Sequence, residues 1–256
     1  MAAALHRAFD WRGPDRLVLV HGFTQTLRSW DGLANDLAET FQVIRVDLPG
    51  HGGSAGVDLD FVETAAAIGD AGGTATYVGY SMGGRLCLRL ALDRPDLVQS
   101  LVLIGASPGL ADEATRATRR AADEALAAEI ERTGTAAFLE RWLAQPLFST
   151  FTPEPADLES RLANTSRGLG TALRRLGTGA QEPLWDRLGA LEMPVLVVAG
   201  QEDAKFTHVA EEMADAIGVN AQVVALAGAG HAAHLERPAS FRRLMAAFLV
   251  LHPPTS

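Results

Sequence analysis

Short apolar runs alternate along this chain with stretches whose apolar positions recur at helical spacing. Residues 17–20, 43–46, 74–78, 101–104, 195–199 and 221–226 read as strands. The runs that leave no polar face, such as 17–20 and 195–199, read as strands buried on both sides. Between them, Trp30, Leu33, Ala34 and Leu37 give residues 29–40 a helical face, and 61–68, the stretch from Gly84 through Leu92, 209–217 and 241–251 follow the same period. The last of these runs into a proline-rich tail. Turn chemistry closes several strands: His21-Gly22-Phe23, then Asp47-Leu48-Pro49-Gly50-His51-Gly52, then Gly105-Ala106-Ser107-Pro108-Gly109.

From about 110 to 192 the strand pattern is absent, and Ala- and Arg-rich helical patterns broken by prolines replace it. Strands alternating with helices predict a mostly parallel α/β sheet with helices on both faces. A helical stretch of that length between two strands is too long for a connection, so it predicts an inserted helical lid. The expected organisation is one core, 1–109 and 193–256, with a cap at 110–192. No internal repeat or low-complexity segment interrupts it.

Composition narrows the function classes. With 256 residues, 48% of them hydrophobic, the chain can bury the core of one sizeable domain. A net charge of -9 argues against a nucleic-acid-binding face, which needs clustered Lys and Arg. The one cysteine, Cys87, allows no intramolecular disulfide and lies in an apolar run, where it reads as a small buried hydrophobe. The first eleven residues lack the apolar region of a signal peptide, and no run approaches a membrane span. The expectation is a cytoplasmic protein with no membrane partner; nothing in the pattern assigns an oligomeric state.

The chemistry concentrates at strand ends. Gly79-Tyr80-Ser81-Met82-Gly83 follows a predicted strand and precedes a predicted helix, the context in which a Gly-x-Ser-x-Gly motif presents a nucleophile. A serine hydroxyl needs a histidine to take its proton. His231, after strand 221–226 and Gly228-Ala229-Gly230, sits where such a base belongs, and is preferred to His234. His21 and His51 read as loop-packing groups, while His6, His208 and His252 have no motif around them. The chain order serine, acid, histidine calls for a carboxylate after strand 195–199, and Gly200-Gln201-Glu202-Asp203 supplies it, with Asp203 preferred to Glu202. The backbone N–H groups of Phe23 and Met82 are the expected oxyanion hole. Arg85, one helical turn past Ser81, can reach the same site.

This constellation resembles the α/β-hydrolase superfamily. Within it, His21-Gly22-Phe23-Thr24, Asp47 to Ser54, Val78 to Arg85, Ala106 to Leu110, the Arg116/Arg119/Arg120 cluster, Phe138 to Phe148 and Gly200 to Phe206 resemble the 2-succinyl-6-hydroxy-2,4-cyclohexadiene-1-carboxylate synthases of menaquinone biosynthesis. The resemblance implies a lyase that eliminates pyruvate from 2-succinyl-5-enolpyruvyl-6-hydroxy-3-cyclohexene-1-carboxylate, with the Ser81, Asp203 and His231 triad as base and with no metal or organic cofactor. It also implies that Arg85, Arg119 and Arg161 bind the carboxylates of a small polycarboxylate substrate, with Trp142 and Tyr80 lining the site. Guanidinium groups suit that task because they meet carboxylates in bidentate fashion.

Other readings stay open at this point. Arg116, Arg120 and Glu124 have the spacing of a solvated helix face, and Arg119, Arg161 and Trp142 each have a purely structural alternative. The same triad would serve an ester, lactone or C–C hydrolase of a small acidic substrate. A small-molecule receptor on the same fold is a third reading. Haloalkane dehalogenation is disfavoured, because it needs a carboxylate at position 81.

Overall fold

Wholly apolar strands must be covered on both faces, and the chain arranges its helices to do so. In the computed structural model, which describes residues 4–11 and 13–253, the strands are β1 (Arg7–Trp11), β2 (Asp15–Val20), β3 (Phe41–Val46), β4 (Ala75–Tyr80), β5 (Val98–Ile104), β6 (Val195–Gly200) and β7 (Ala221–Leu226). They form one sheet in the spatial order β1-β3-β2-β4-β5-β6-β7. β1 is antiparallel to β3, and the remaining pairs are parallel. Every residue of β4 and β6 is buried.

The helices are α1 (Asp31–Leu37), α2 (Phe61–Gly72), α3 (Met82–Asp93), α4 (Glu113–Thr133), α5 (Thr135–Leu143), α6 (Pro155–Leu162), α7 (Ser166–Leu176), α8 (Ala204–Ile217), α9 (Ala233–Glu236) and α10 (Pro238–Leu251). α2, α3 and α8 bury Phe61, Ile68, Leu86 and Met213 against Val18, Val20 and Val197 on one face of the sheet. α1 and α10 bury Leu33, Phe241, Met245 and Phe248 against Leu17, Leu19 and Val198 on the other. Between β5 and β6 the described residues form α4 to α7 with short 3₁₀ turns and no strand. These helices hold a separate small core of Ala127, Ile130, Phe138, Leu169 and Leu173.

Register brings the carboxyl ends of the strands together. Val20 pairs with Gly79, Gly79 with Leu103, and Ile104 with Val198, so the loops after β2, β4, β5 and β6 leave the sheet side by side. That edge is where open α/β sheets place their ligands.

Local signals explain most boundaries. α2 starts at a capping box: the Asp60 carboxylate accepts from Glu63 N–H, and the Glu63 carboxylate accepts from Asp60 N–H. α10 starts with Pro238 at its first position, where the missing N–H costs nothing. Three details differ from the sequence pattern. The helical stretch at 29–40 is a 3₁₀ turn, Leu27–Trp30, followed by α1. His234 lies in a separate short helix, α9, which the sequence pattern does not mark. β1 has no counterpart among the predicted strands. Cys87 is buried in the core. No helix among the described residues is long and apolar enough to cross a membrane. The outermost ends of the expected core segments, 1–3 and 254–256, lie outside the described residues.

Candidate active site

Ser81 caps α3 straight out of β4, with φ 49° and ψ -108°. Holding a non-glycine residue there costs about 1–3 kcal/mol, which the neighbours must offset. Its N–H donates to the Ile104 carbonyl at 2.8 Å, and its carbonyl accepts from Arg85 N–H at 3.0 Å. The glycines on either side permit the turn. A Cβ at Gly79 would lie 2.6 Å from the Gly83 backbone, and one at Gly83 would lie 2.4 Å from the Val20 carbonyl oxygen.

The two partners come from the loops after β6 and β7. Ser81 Oγ lies 3.3 Å from His231 Nε2, and His231 Nδ1 lies 2.9 Å from Asp203 Oδ2. An ionised carboxylate accepts only, so Nδ1 carries the proton and Nε2 presents its lone pair to the serine. The second Asp203 oxygen accepts from Phe206 N–H at 3.2 Å, which fixes the carboxylate at the start of α8. Phe206 packs its ring 4.5 Å from the imidazole. Gly105, with φ 54°, leaves room on another side, since a Cβ there would lie 3.0 Å from His231 Cε1. His231 is 3% exposed. Glu202 is exposed and takes no part.

The loop after β2 brings Phe23 to the same place. Two fully buried histidines build it, each fixed as a neutral tautomer by backbone groups. His21 Nδ1 donates to the Gly22 carbonyl and Nε2 accepts from Leu48 N–H; His51 Nδ1 donates to the Pro49 carbonyl and Nε2 accepts from Thr24 N–H. Burial lowers the pKa of His21, and burial together with His21 lowers that of His51 to about 3. Asp47 ties the loop down by accepting from the N–H groups of Leu27 and Gly53, each at 2.8 Å. Tyr80 lies beneath it: a Cβ at Gly22 would lie 2.6 Å from the tyrosine ring. Burial raises the Tyr80 pKa.

A cavity of about 830 Å³ opens over Ser81 and His231, walled by Phe23, Met82 and Tyr80 from the sheet side and by helix residues including Trp142 and Phe148. Arg85, Arg119 and Lys205 are the Lys or Arg residues on its wall among the described residues. Arg85 is 6% exposed. It donates from Nη1 to Gln181 Oε1 at 2.8 Å and from Nη2 to the Leu176 carbonyl at 2.7 Å. Burial, followed by the nearby Arg119 charge, lowers its pKa to about 10, so it remains a cation at neutral pH. Arg119 pairs with Asp123 at 2.8 Å. Trp142 packs its ring 5.2 Å from Phe23 and 5.7 Å from Phe138.

The structure therefore brings Ser81, Asp203, His231, Phe23, Met82, Tyr80, Arg85, Arg119 and Trp142 together. It does not bring Arg161 to the cavity wall. Arg161 is 2% exposed, pairs with Asp157 at 2.7 Å and donates to Thr24 Oγ1 at 2.7 Å, behind the loop that carries Phe23. Asp157 lies four positions before Arg161, so the pair spans one turn of α6. Arg116 and Arg120 both pair with Glu113, on the solvated side. Lys205, Phe206, Phe148 and Gln181 were not singled out from sequence. The available signal for Lys205 is that lysine occurs nowhere else in the chain.

The pattern of the family described as alpha/beta hydrolase fold matches residues 15–238. The chain is 32% identical over 253 residues to the 2-succinyl-6-hydroxy-2,4-cyclohexadiene-1-carboxylate synthase of Enterobacter sp. (strain 638), covering 95% of this chain and 93% of that protein. It is 31% identical to the protein of the same name from Salmonella schwarzengrund (strain CVM19633), over 89% of this chain and 90% of that one. Among solved structures it is similar to MenH from S. aureus, with 30% identity and a TM-score of 0.87 over 96% of this chain and 98% of that chain. A thermophilic esterase from Thermogutta terrifontis with malate bound superposes with a TM-score of 0.82 at 26% identity, over 97% and 94%.

Proposed function

We infer the reaction from membership and site together: the chain belongs to the alpha/beta hydrolase fold family and, within it, to the 2-succinyl-6-hydroxy-2,4-cyclohexadiene-1-carboxylate synthases. It is a carbon–oxygen lyase of menaquinone biosynthesis that eliminates pyruvate from 2-succinyl-5-enolpyruvyl-6-hydroxy-3-cyclohexene-1-carboxylate. The observation that carries the reading at the level of the site is that two arginines, Arg85 and Arg119, share one cavity with the Ser81–His231 pair. A neutral ester would need no such pair of cations.

His231 Nε2 takes the Ser81 proton, and the seryl oxygen removes the ring proton α to the succinyl ketone. Negative charge develops on the ketone oxygen, where the Phe23 and Met82 N–H groups receive it, helped by the amino end of α3. As the enolate collapses the ring becomes a diene, and the bond from ring carbon to enolpyruvyl oxygen breaks with its electron pair going to that oxygen. The departing pyruvate enolate is protonated on carbon, which returns the proton taken from the ring. Asp203 keeps the imidazole in the tautomer this requires and steadies its transient charge. Arg85 and Arg119 hold carboxylates, with Tyr80 and Trp142 as the apolar wall. Arg161 contributes as a positioning residue, through Thr24.

Residues 110–192 act as the cap that closes the cavity over a core of 1–109 and 193–256. Its own apolar cluster supports that role, because a cap with a core can hold its shape while it moves. The substrate is a small polycarboxylate, met in the cytoplasm, with neither nucleic acid nor membrane as partner.

Product analysis by mass spectrometry tests the reaction class. Elimination gives pyruvate and a diene whose masses sum to that of the substrate. Hydrolysis gives fragments that sum to substrate plus one water, and that result would move the chain to the hydrolases.

A further inference from the structure

Lysine occurs once in this chain, at position 205, while arginine supplies the other twenty-one cations. That lysine is on the cavity wall. It stands in the first turn of α8, where the helix dipole disfavours a positive charge, so helix stability does not account for it. No carboxylate of the described residues pairs with it. Its Nζ lies 5.5 Å from the centre of the Phe206 ring, whose other neighbour is the His231 imidazole at 4.5 Å. The two arginines of the cavity are differently placed and differently held. Arg85 rises from α3 onto Gln181 and Leu176, and Arg119 comes down from α4 onto Asp123. The cavity thus has a pair of fastened guanidinium groups from α3 and α4, and, from α8, an ammonium with no carboxylate partner among the described residues.

We propose that Lys205 is the subsite for the carboxylate that leaves with pyruvate. The inference rests on the elimination described above. That substrate has three carboxylates, two that stay on the ring product and one on the enolpyruvyl group. Arg85 and Arg119 match the pair that stays. Lys205, on the same wall as the base and linked to it through the Phe206 ring, is the remaining cation for the third. There the ammonium offsets the existing carboxylate charge while a second negative charge develops on the departing oxygen. No bond to Lys205 forms or breaks. A single flexible point charge also suits a group that must be released each cycle, whereas a bidentate arginine would hold it more firmly.

The test is the steady-state kinetics of Lys205→Met and Lys205→Arg with the enolpyruvyl substrate, and with pyruvate as product inhibitor. Loss of one charged hydrogen bond lowers kcat/KM by about 10- to 100-fold in Lys205→Met, weakens inhibition by pyruvate in parallel, and is largely rescued in Lys205→Arg. Wild-type kcat/KM and wild-type pyruvate inhibition in Lys205→Met would overturn the subsite while leaving the reaction intact. If the wild type releases no pyruvate, the reaction itself fails, and a second measurement still decides the subsite. Trinitrobenzenesulfonate labels Lys205 as the one side-chain amine, read by peptide mass. Slower labelling at saturating pyruvate supports a carboxylate subsite; an unchanged rate rejects it.

Discussion

The Arg161 guanidinium donates to Thr24 Oγ1 at 2.7 Å, joining α6 to the loop after β2 across 137 positions of sequence. Thr24 has φ 69°, the left-handed region that a threonine rarely adopts. Its N–H donates to His51 Nε2 and its carbonyl accepts from Asn164 Nδ2 at 2.8 Å. Three bonds therefore hold the residue next to the Phe23 N–H in a backbone geometry it would otherwise leave. Arg161 and Asn164 belong to the helical insertion, so the position of the insertion and the shape of the oxyanion loop are linked.

Replacing Arg161 by Met should lower kcat and also destabilise the fold. The change strands the Asp157 carboxylate, whose side chain is 12% exposed, at a cost of about 3–5 kcal/mol. The double variant Arg161→Met/Asp157→Leu separates the effects. It should recover most of the stability in urea melts and keep the low kcat; a wild-type kcat there would show that the loop needs no clamp.

Gly105→Ala should damage catalysis more than folding. The backbone penalty at φ 54° is about 1–2 kcal/mol, but the added Cβ presses on His231 Cε1. The expected result is a drop in kcat of about tenfold or more, equivalent to at least about 1.4 kcal/mol in the barrier, with KM little changed. Equal losses in kcat and thermal stability would mean that the imidazole is not displaced.

Gln181 is 1% exposed and gives Arg85 Nη1 its acceptor. Its own Nε2 has no partner. Gln181→Leu should raise KM by about tenfold, the worth of one hydrogen bond to a charged group, with a smaller effect on kcat. A wild-type KM would place the orientation of Arg85 in the Leu176 carbonyl alone.

Acid should destabilise the protein through histidines kept neutral by burial. His234 packs its ring 4.5 Å from both Trp30 and Tyr80, neither ring nitrogen has a partner, and burial lowers its pKa to about 3. The unfolded chain takes up a proton below about pH 6.5, while the folded chain does not until about pH 3. Stability from this group is therefore complete above pH 6.5 and is lost as the pH falls toward 3. At pH 5 the loss is about 2 kcal/mol. His234→Phe keeps the ring contacts and should flatten the pH dependence by that amount; an unchanged slope between pH 8 and 5 would contradict the burial argument. His51 acts with the same sign.

How much of this was legible in the sequence follows from which interactions are local. β2, β4, β5 and β6 were readable because buried parallel strands carry apolar runs with turn residues at their ends. Ser81 and Asp203 were readable for the same reason, since each follows such a strand; His231 follows the edge strand β7, and the chain order fixes the three roles. β1 was missed because an edge strand needs no apolar run: Arg7 and Asp10 flank only two apolar residues, Ala8 and Phe9, and Phe9 is 47% exposed. The split between α9 and α10 turns on Pro238, a residue suited to the first position of a helix.

The cavity wall was less legible, because helices far apart in sequence build it. Arg85 could be placed from its distance to Ser81 along one helix. Arg119 and Trp142 depended on resemblance to a family. Arg161 was assigned to the substrate on the same ground, yet its neighbour Asp157 and the distant Thr24 take its hydrogen bonds. Spacing reveals Asp157 as a partner, but nothing local reveals Thr24. Gln181 and Phe148 reach the site only through the folding of the helical insertion.

The central claim is that Ser81 acts as the base of an elimination, and pyruvate release from the enolpyruvyl substrate tests it most directly. Wild-type chain should release pyruvate rapidly, and Ser81→Ala and His231→Ala should each be slower by about three or more orders of magnitude, with unchanged thermal stability in Ser81→Ala. Pyruvate release that survives loss of the hydroxyl, or rapid turnover of p-nitrophenyl esters with no pyruvate released, would contradict the account.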